Sequence, residues 1–220
     1  KYNSMVQEKE EVARNISWKL NTLEWSNLFN YGESNTIDFT NLNGIVGIFG
    51  KNFSGKSSII DSLLFTVYNS SSKGNRKNFN TINQRAEWGK GKVEIDVGDN
   101  TLIIERDCEK YVKKLRGEET DEAKTNVTFS THNPITNRKE PLNGLDRNGT
   151  DKNIRKYFGT LDDFLLTSMA SQLGSLDFIG EGSTKRKEIL AKFLDLEIFD
   201  KKFKLAKDDA SDLKAILKRL

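Results

Sequence analysis

Little in this chain could build a conventional metal or redox centre. It holds one cysteine, Cys108, and one histidine, His132. A single thiol forms no internal disulfide and points to a reducing compartment. The same scarcity rules out a zinc site of the Cys/His kind, or a His-rich two-metal nuclease centre, built from these residues alone. His132 lies in the polar run STHNPITN with no ligand or nucleophile beside it, as expected of a surface-loop residue. No apolar run approaches the ~18 residues needed to cross a bilayer. The opening KYNSMVQEKEEVARN is too charged for a secretory signal, so no membrane partner is expected. It also lacks an initiator Met, and the natural chain is expected to begin upstream. The formal net charge is only +3, so any nucleic-acid-binding patch must be local. Hydrolytic chemistry, if present, is left to phosphate.

A phosphate-binding motif is what the chain does have. Gly50-Lys51-Asn52-Phe53-Ser54-Gly55-Lys56-Ser57 fits G-x-x-x-x-G-K-[ST], with Ser58 following. A triphosphate carries several negative charges, which a loop of inward-pointing backbone N–H groups and a helix N-terminus can hold together. Gly50 and Gly55 permit the tight turns. Lys56 is placed to reach the β- and γ-phosphates, and the Ser57 hydroxyl to ligate Mg²⁺, so the expected cofactors are ATP and Mg²⁺. Context agrees: the apolar, β-branched GIVGIFG before the motif reads as a buried strand. After it, KSSIIDSLLFTVY spaces Ile59, Ile60, Leu63, Leu64 and Val67 as an amphipathic helix does. A P-loop ATPase also needs a strand-end carboxylate for Mg²⁺ and water. LIIER offers Glu105, but only three apolar residues precede it and it sits in a hairpin. The acid is therefore expected from outside these residues.

The chain of 220 residues has room for one large α/β domain, or for a domain with a helical arm. Residues 1–15 read as a charged extension or linker, 16–183 as the P-loop lobe and 184–220 as the start of a coiled coil. SWKLNTLEWSNL alternates like a half-buried strand, and a second strand ends at Phe39. The stretch 69–91 reads as a long polar surface loop. KVEIDV and TLIIER form a hairpin across Gly98-Asp99-Asn100 that aligns Val93, Ile95 and Val97. YVKKLRG and NVTFST add strands, with GEETDEAK as a solvated loop between them. TDKNIRKYF reads as a helix closing at Gly159. A second helix opens at Thr160 with a Thr160/Asp163 capping box. In the tail, Phe199, Phe203, Ala206, Ala210, Leu213, Leu217 and Leu220 are spaced by alternating fours and threes. An ordinary surface helix would also be amphipathic; the strict 3.5 period, with charged residues in the gaps, favours a coiled-coil seam.

Together these segments resemble the ATPase heads of the SMC/SbcC-type DNA-repair family, specifically the N-terminal lobe, from about Trp18 to Leu220. LNTLEWSNLFNYGESNTIDF resembles the family's opening hairpin, and GIFGKNFSGKSSIIDSL its Walker A segment and helix. FLLTSMASQLGSLDFI resembles the Q-loop, with Gln172 in the place of the glutamine that contacts Mg²⁺ and the attacking water. STKRKEILAKFLDLEIFDKKFKLAK resembles the exit into the coiled coil. The wording of the Walker A and the sparse proline are closest to bacteriophage members. The resemblance implies an ABC-type P-loop head with a β-hairpin layer and an emerging coiled-coil helix. It also implies a C-terminal lobe of the same protein that supplies the missing acid, and a second head in a homodimer. DNA and an SbcD-type nuclease subunit are the further partners implied, in nucleoid-associated or host cytoplasm.

The pattern is broken at Phe53, where the family usually has Gly. A bulky residue at positive φ costs about 1–2 kcal/mol. Either the loop is reshaped, or Phe53 bears the strain and packs outward against nucleotide or the opposing lobe. Asn27, Asn30 and Tyr31 fall where the opening hairpin approaches the nucleotide, although a solvated loop would look the same. Lys90, Lys92, Lys110, Lys113, Lys114 and Arg116 could meet DNA phosphate, but carboxylates interleave with them. Two rivals share the P-loop: an SMC-like chromosome organiser or phage-defence ATPase without a nuclease partner, and a small-molecule kinase.

Overall fold

The computed structural model describes residues 17–72, 77–115, 118–169, 180–193 and 196–217. Six strands form among these residues: β1 (Trp18–Ser26), β2 (Asn35–Asp38), β3 (Trp88–Val97), β4 (Asn100–Leu115), β5 (Glu118–Asn133) and β6 (Arg138–Pro141). They pair in the order β2-β1-β3-β4-β5-β6, antiparallel throughout. Alternation along β3 buries Val93 and Ile95 on one face. Lys92 and Glu94 are left on the other, as expected of an antiparallel sheet covered on one side only.

In β1 the apolar phase jumps from even positions, Trp18 and Leu20, to odd ones, Leu23 and Trp25. A β-bulge between Leu20 and Thr22 supplies the extra residue that makes the jump possible. The Asn21 carbonyl there accepts the Phe39 N–H at 2.7 Å. The expected hairpin joins β3 to β4, with Gly98 at φ 60° in its turn. Two expectations about its surroundings change. β3 begins at Trp88, within the stretch expected to be loop. The β4 strand runs unbroken through YVKKL, and the described residues of GEETDEAK, from Glu118 on, belong to β5 instead of a solvated loop. Cross-strand pairs of opposite charge support that extension: Lys113 with Glu122 at 3.2 Å and Lys114 with Glu119 at 2.7 Å.

Five helices among the described residues follow the strands or interrupt them: α1 (Lys56–Tyr68), α2 (Arg147–Phe158), α3 (Leu161–Thr167), α4 (Ser183–Phe193) and α5 (Glu197–Leu217). Helix α1 packs on β3 and β4, and α2 on β5. Their inner faces close the core through Phe65, Val67, Ile154 and Phe158 against Ile95, Leu102, Ile104 and Phe129. Gly91 lets α1 come this close, since a Cβ there would lie 2.0 Å from Thr66 Oγ1. Helix α2 starts at Asp146, whose carboxylate accepts the Gly149 N–H at 2.6 Å, and ends, as expected, at Gly159 with φ 70°. The side chain of Asp163, half of the expected capping box, lies outside the described residues, as does the expected N-terminal helix of residues 1–15.

The largest departure is GIVGIFG. Expected as a buried strand, it pairs with no described strand, and Ile45 and Phe49 are 103% and 94% exposed. An apolar β-branched run becomes a buried strand only when neighbours supply ladder hydrogen bonds and cover its faces. None of the described residues does so. On α5 the apolar seam is likewise open, with Phe199, Phe203 and Leu217 exposed. No described helix is long and apolar enough to cross a membrane.

Candidate functional site

The P-loop runs from the bare 45–49 segment to the N-terminus of α1. Gly55 is the helix N-cap at φ 90°, in the left-handed region, with no side-chain cap and no acidic residue in the first turn. The first N–H groups of α1 are thus left for an anion, at the positive end of the helix dipole. Lys56 Nζ donates to the Gly50 carbonyl at 2.8 Å and the Lys51 carbonyl at 2.7 Å, tying the two arms of the loop together. Phe53 stands at φ 63° and is 99% exposed. Of the two possibilities open at that position, the loop keeps the conformation that glycine favours, and the phenyl ring turns outward.

Two neighbouring segments brace the loop. Tyr31 donates its hydroxyl to the Gly55 carbonyl at 3.1 Å, and a Cβ on Gly55 would lie 3.2 Å from the Tyr31 ring. That ring stands edge-on to Trp25 of β1, with centroids 5.1 Å apart. Asn83 Nδ2 donates to the Tyr31 carbonyl at 3.0 Å, and the Asn83 N–H to the Asn27 carbonyl at 2.8 Å. A bridge between Leu28 and Ile82 completes the clamp. The stretch expected as a polar surface loop is therefore partly internal: Thr81 and Ile82 are buried behind a 3-10 turn at Asn78–Thr81. Between these parts opens a cleft of about 840 Å³, lined by residues 53–58 and by Asn83, Gln84 and Arg85.

Most of the expected site residues gather here. Gly50, Lys51, Asn52, Phe53, Ser54, Gly55, Lys56, Ser57 and Ser58 form one continuous loop and helix start, with Ser57 exposed beside the cleft. Asn27 is buried behind the turn at φ 53°, whereas its neighbours Phe29 and Asn30 line the cleft. Gln172 lies outside the described residues. Asp61, one turn beyond Ser57 on α1, was not singled out from the sequence. It is buried, lines the cleft and accepts the Ser72 N–H at 2.7 Å. Gln84 and Arg85 were missed as well, because nothing in a run of polar residues tells which of them the bridge to Leu28 draws inward. Glu105 points to the far face of the sheet, 2.7 Å from Lys90. Among the described residues no three His, Cys, Asp or Glu side chains cluster to hold a metal.

The basic cluster on the strands is engaged internally. Lys92 lies 2.7 Å from Glu94 and 3.4 Å from Glu24, and the Glu94 carboxylate raises the Lys92 pKa. Lys110 donates to the Asn83 carbonyl at 3.3 Å and sits over the Phe79 ring. Arg116 lies outside the described residues.

At the far end of α1 a buried cation takes over. Arg106 of β4 is fully buried; its Nε donates to the Thr66 carbonyl at 3.0 Å and its Nη2 to Asp151 of α2 at 2.6 Å. It caps the negative end of the P-loop helix, which carries no basic residue of its own in its last turn. Burial lowers the Arg106 pKa, and Asp151 opposes that shift. Cys108, two residues on, is buried, which pushes its thiol up to about 12.

A model of the AAA domain matches residues 22–220. Protein R555 of Acanthamoeba polyphaga mimivirus is 32% identical over 208 residues, which is 92% of this chain and 15% of that protein. The DNA double-strand break repair Rad50 ATPase of Thermoplasma acidophilum is 27% identical over 80% of this chain and 18% of its own length. The SbcC component of the Bacillus subtilis nuclease SbcCD is 25% identical over 77% of this chain and 15% of its own length. The chain thus spans less than a fifth of the length of the curated relatives it matches. Among solved structures, the recombination mediator RecF with ATP aligns over 93% of this chain and 47% of its own, at 17% identity and a TM-score of 0.43.

Proposed function

The chain belongs to the AAA-domain family, as an N-terminal ATPase lobe of the SMC/SbcC type, and from that premise we propose that it binds ATP with Mg²⁺ as half of the catalytic head of a DNA-repair ATPase. Backbone N–H groups of residues 50–58 and the Lys56 ammonium would hold the phosphates, and the Ser57 hydroxyl would hold the metal. Asn30 and Arg85 face the same cleft. The residues suit a polyanion, because the first turn of α1 is uncapped by any side chain and free of carboxylates. ATP supplies the hydrolysable phosphoanhydride; the protein's part is to bind it, orient it and exclude competing geometries.

The observation that carries the reading is the bare apolar segment 45–49, leading straight into the P-loop. A phosphate loop held on an uncovered apolar segment is half a head. The partners proposed for that segment belong to the C-terminal lobe of the same protein, which would also bring the missing acid. Gln172 is proposed to touch Mg²⁺ and the attacking water. The open seam of α5 is proposed as the start of a coiled coil joining the two lobes. Closure of two such heads over ATP, on DNA ends and beside an SbcD-type nuclease, is part of the same proposal, supported by similarity to relatives named for double-strand break repair and for the SbcCD nuclease.

Lys56→Ala tests the foundation. Calorimetric titration should find ATP binding abolished in the variant, with its thermal unfolding unchanged. Binding retained at the affinity of the original chain would refute the assignment.

A further inference from the structure

Asp61 is the one carboxylate among the described residues that line the phosphate cleft. It is only 8% exposed, and its Oδ1 accepts the Ser72 N–H at 2.7 Å. Among the described residues no other hydrogen bond and no ion pair reaches its side chain. Two cations line the same cleft, and neither serves as its counter-charge. Lys56 is engaged by the Gly50 and Lys51 carbonyls, and Arg85 pairs with no described carboxylate. A buried carboxylate is ordinarily paired or set against a metal, because its lost hydration is costly. The described residues leave this one without either.

Holding the chain at Ser72 does not require a charge. A neutral amide oxygen would accept the same N–H, and one bond uses a fraction of the roughly four that a carboxylate can accept. Position on α1 shows where the remaining capacity is directed. Asp61 follows Ser57 by four residues, so the two side chains share a face, with Cβ atoms about 5–6 Å apart. Helical side chains lean toward the N-terminus, which sets the carboxylate back under the turn that presents Ser57. Both residues line the cleft. A bare carboxylate there repels phosphate, whereas a hydrated divalent cation between them satisfies both. Mg²⁺ suits such a place, since it keeps several waters and takes few protein ligands. The described residues offer no cluster of three ligating side chains that would strip those waters away.

We propose that Asp61 is a positioning residue for Mg²⁺: its second oxygen, Oδ2, accepts a hydrogen bond from a water of the ion held at Ser57. The inference rests on the reading of the chain as an ATP-binding lobe, and it adds to that site a residue outside the P-loop motif. Asp61 thereby selects the form of the nucleotide, favouring ATP with Mg²⁺ and repelling metal-free ATP. Through Ser72 the same carboxylate joins the ion to the chain that leaves α1.

The test compares the intact protein with Asp61→Asn, which keeps the size of the side chain and an oxygen for the Ser72 N–H. Calorimetric titrations use ATP with excess MgCl₂ and ATP with EDTA. Electron paramagnetic resonance follows free Mn²⁺ titrated into the protein with ATP. In Asp61→Asn the affinity for ATP with Mg²⁺ should fall about tenfold or more, the loss typical when a metal's outer-shell partner is removed. Affinity for metal-free ATP should stay level or rise, because a repelling charge is gone. Mn²⁺ should bind the complex about tenfold more weakly. The unfolding temperature without nucleotide should be no lower than the parent's. Asp61→Ala, which also gives up the Ser72 bond, should unfold at a lower temperature yet lose the same preference for the metal-bound form. Equal weakening of both forms of ATP in Asp61→Asn overturns the proposal, since a mere latch on Ser72 acts on both alike. So does an unchanged Mn²⁺ affinity, or a parent that binds ATP equally well with and without Mg²⁺. If the parent binds ATP in neither form, the proposed function itself falls. If the parent prefers ATP with Mg²⁺ and Asp61→Asn keeps that preference, only the present inference falls.

Discussion

Phe53 holds a backbone conformation in which its Cβ crowds the following carbonyl, at a cost of about 1–2 kcal/mol. Nothing in the described residues packs against its ring to offset that cost. Replacement by glycine removes the crowding but loosens the unfolded chain, which takes back about 0.5–1 kcal/mol. Phe53→Gly should therefore stabilise the protein by at most about 1.5 kcal/mol in urea unfolding, with ATP affinity held within about twofold. A large fall in affinity would mean the ring touches nucleotide. Cys108 gives a pH signature instead. Burial, then the neighbouring Asp107, raises its thiol from 9.0 to about 12 in the folded state. The folded protein disfavours the thiolate, so this stability is whole below pH 9.0 and is lost as pH rises toward about 12. Alkaline unfolding curves should steepen across that window in the parent and flatten in Cys108→Ala. At this scale the sequence was partly legible: the unusual Phe in the loop was visible, but its direction was not, because one residue's φ is set by the turn around it.

Among the elements, α1 is held at both ends by residues far away in sequence. Tyr31 and Asn83 brace the loop that opens it, and Arg106 closes its last turn while bonding Asp151 of α2. Removing Asp151 leaves a fully buried guanidinium without its counter-charge, which typically costs about 3–5 kcal/mol. Because Asp151 is partly exposed, the lower end is expected. Asp151→Ala should lower unfolding free energy by about 3 kcal/mol, and a change below about 1 kcal/mol would place the pair among inconsequential surface bridges. The apolar spacing of KSSIIDSLLFTVY gave α1 away, as did Gly159 for the end of α2. Charge misled elsewhere: GEETDEAK looks like wet loop until its carboxylates meet the lysines of β4 across the ladder. The β1 phase flip needed a bulge, which no count of alternating residues announces.

For the whole molecule the open surfaces matter most. An apolar segment feeds the P-loop without cover, and the seam of α5 faces outward. If these are the joins to a second lobe, residues 1–220 alone should bind ATP yet turn it over about 100-fold or more slowly than the intact protein, as expected when charge-stabilising groups are missing. Phosphate-release assays on the two would decide it, and comparable turnover would contradict the split site. What the sequence by itself determined was the phosphate loop, the helix behind it and the periodic tail. Each is a contiguous run whose chemistry or period is complete within about twenty residues. Only the tertiary structure decided that Asp61, Asn83 and Arg85 share the cleft with Lys56, that Phe53 faces outward, and that the lysines of β3 and β4 are engaged within the protein. Those facts depend on contacts between residues dozens of positions apart, such as Tyr31 with Asn83 and Arg106 with Asp151. Local periodicity holds no record of such pairs, because they exist only once the sheet has brought them together.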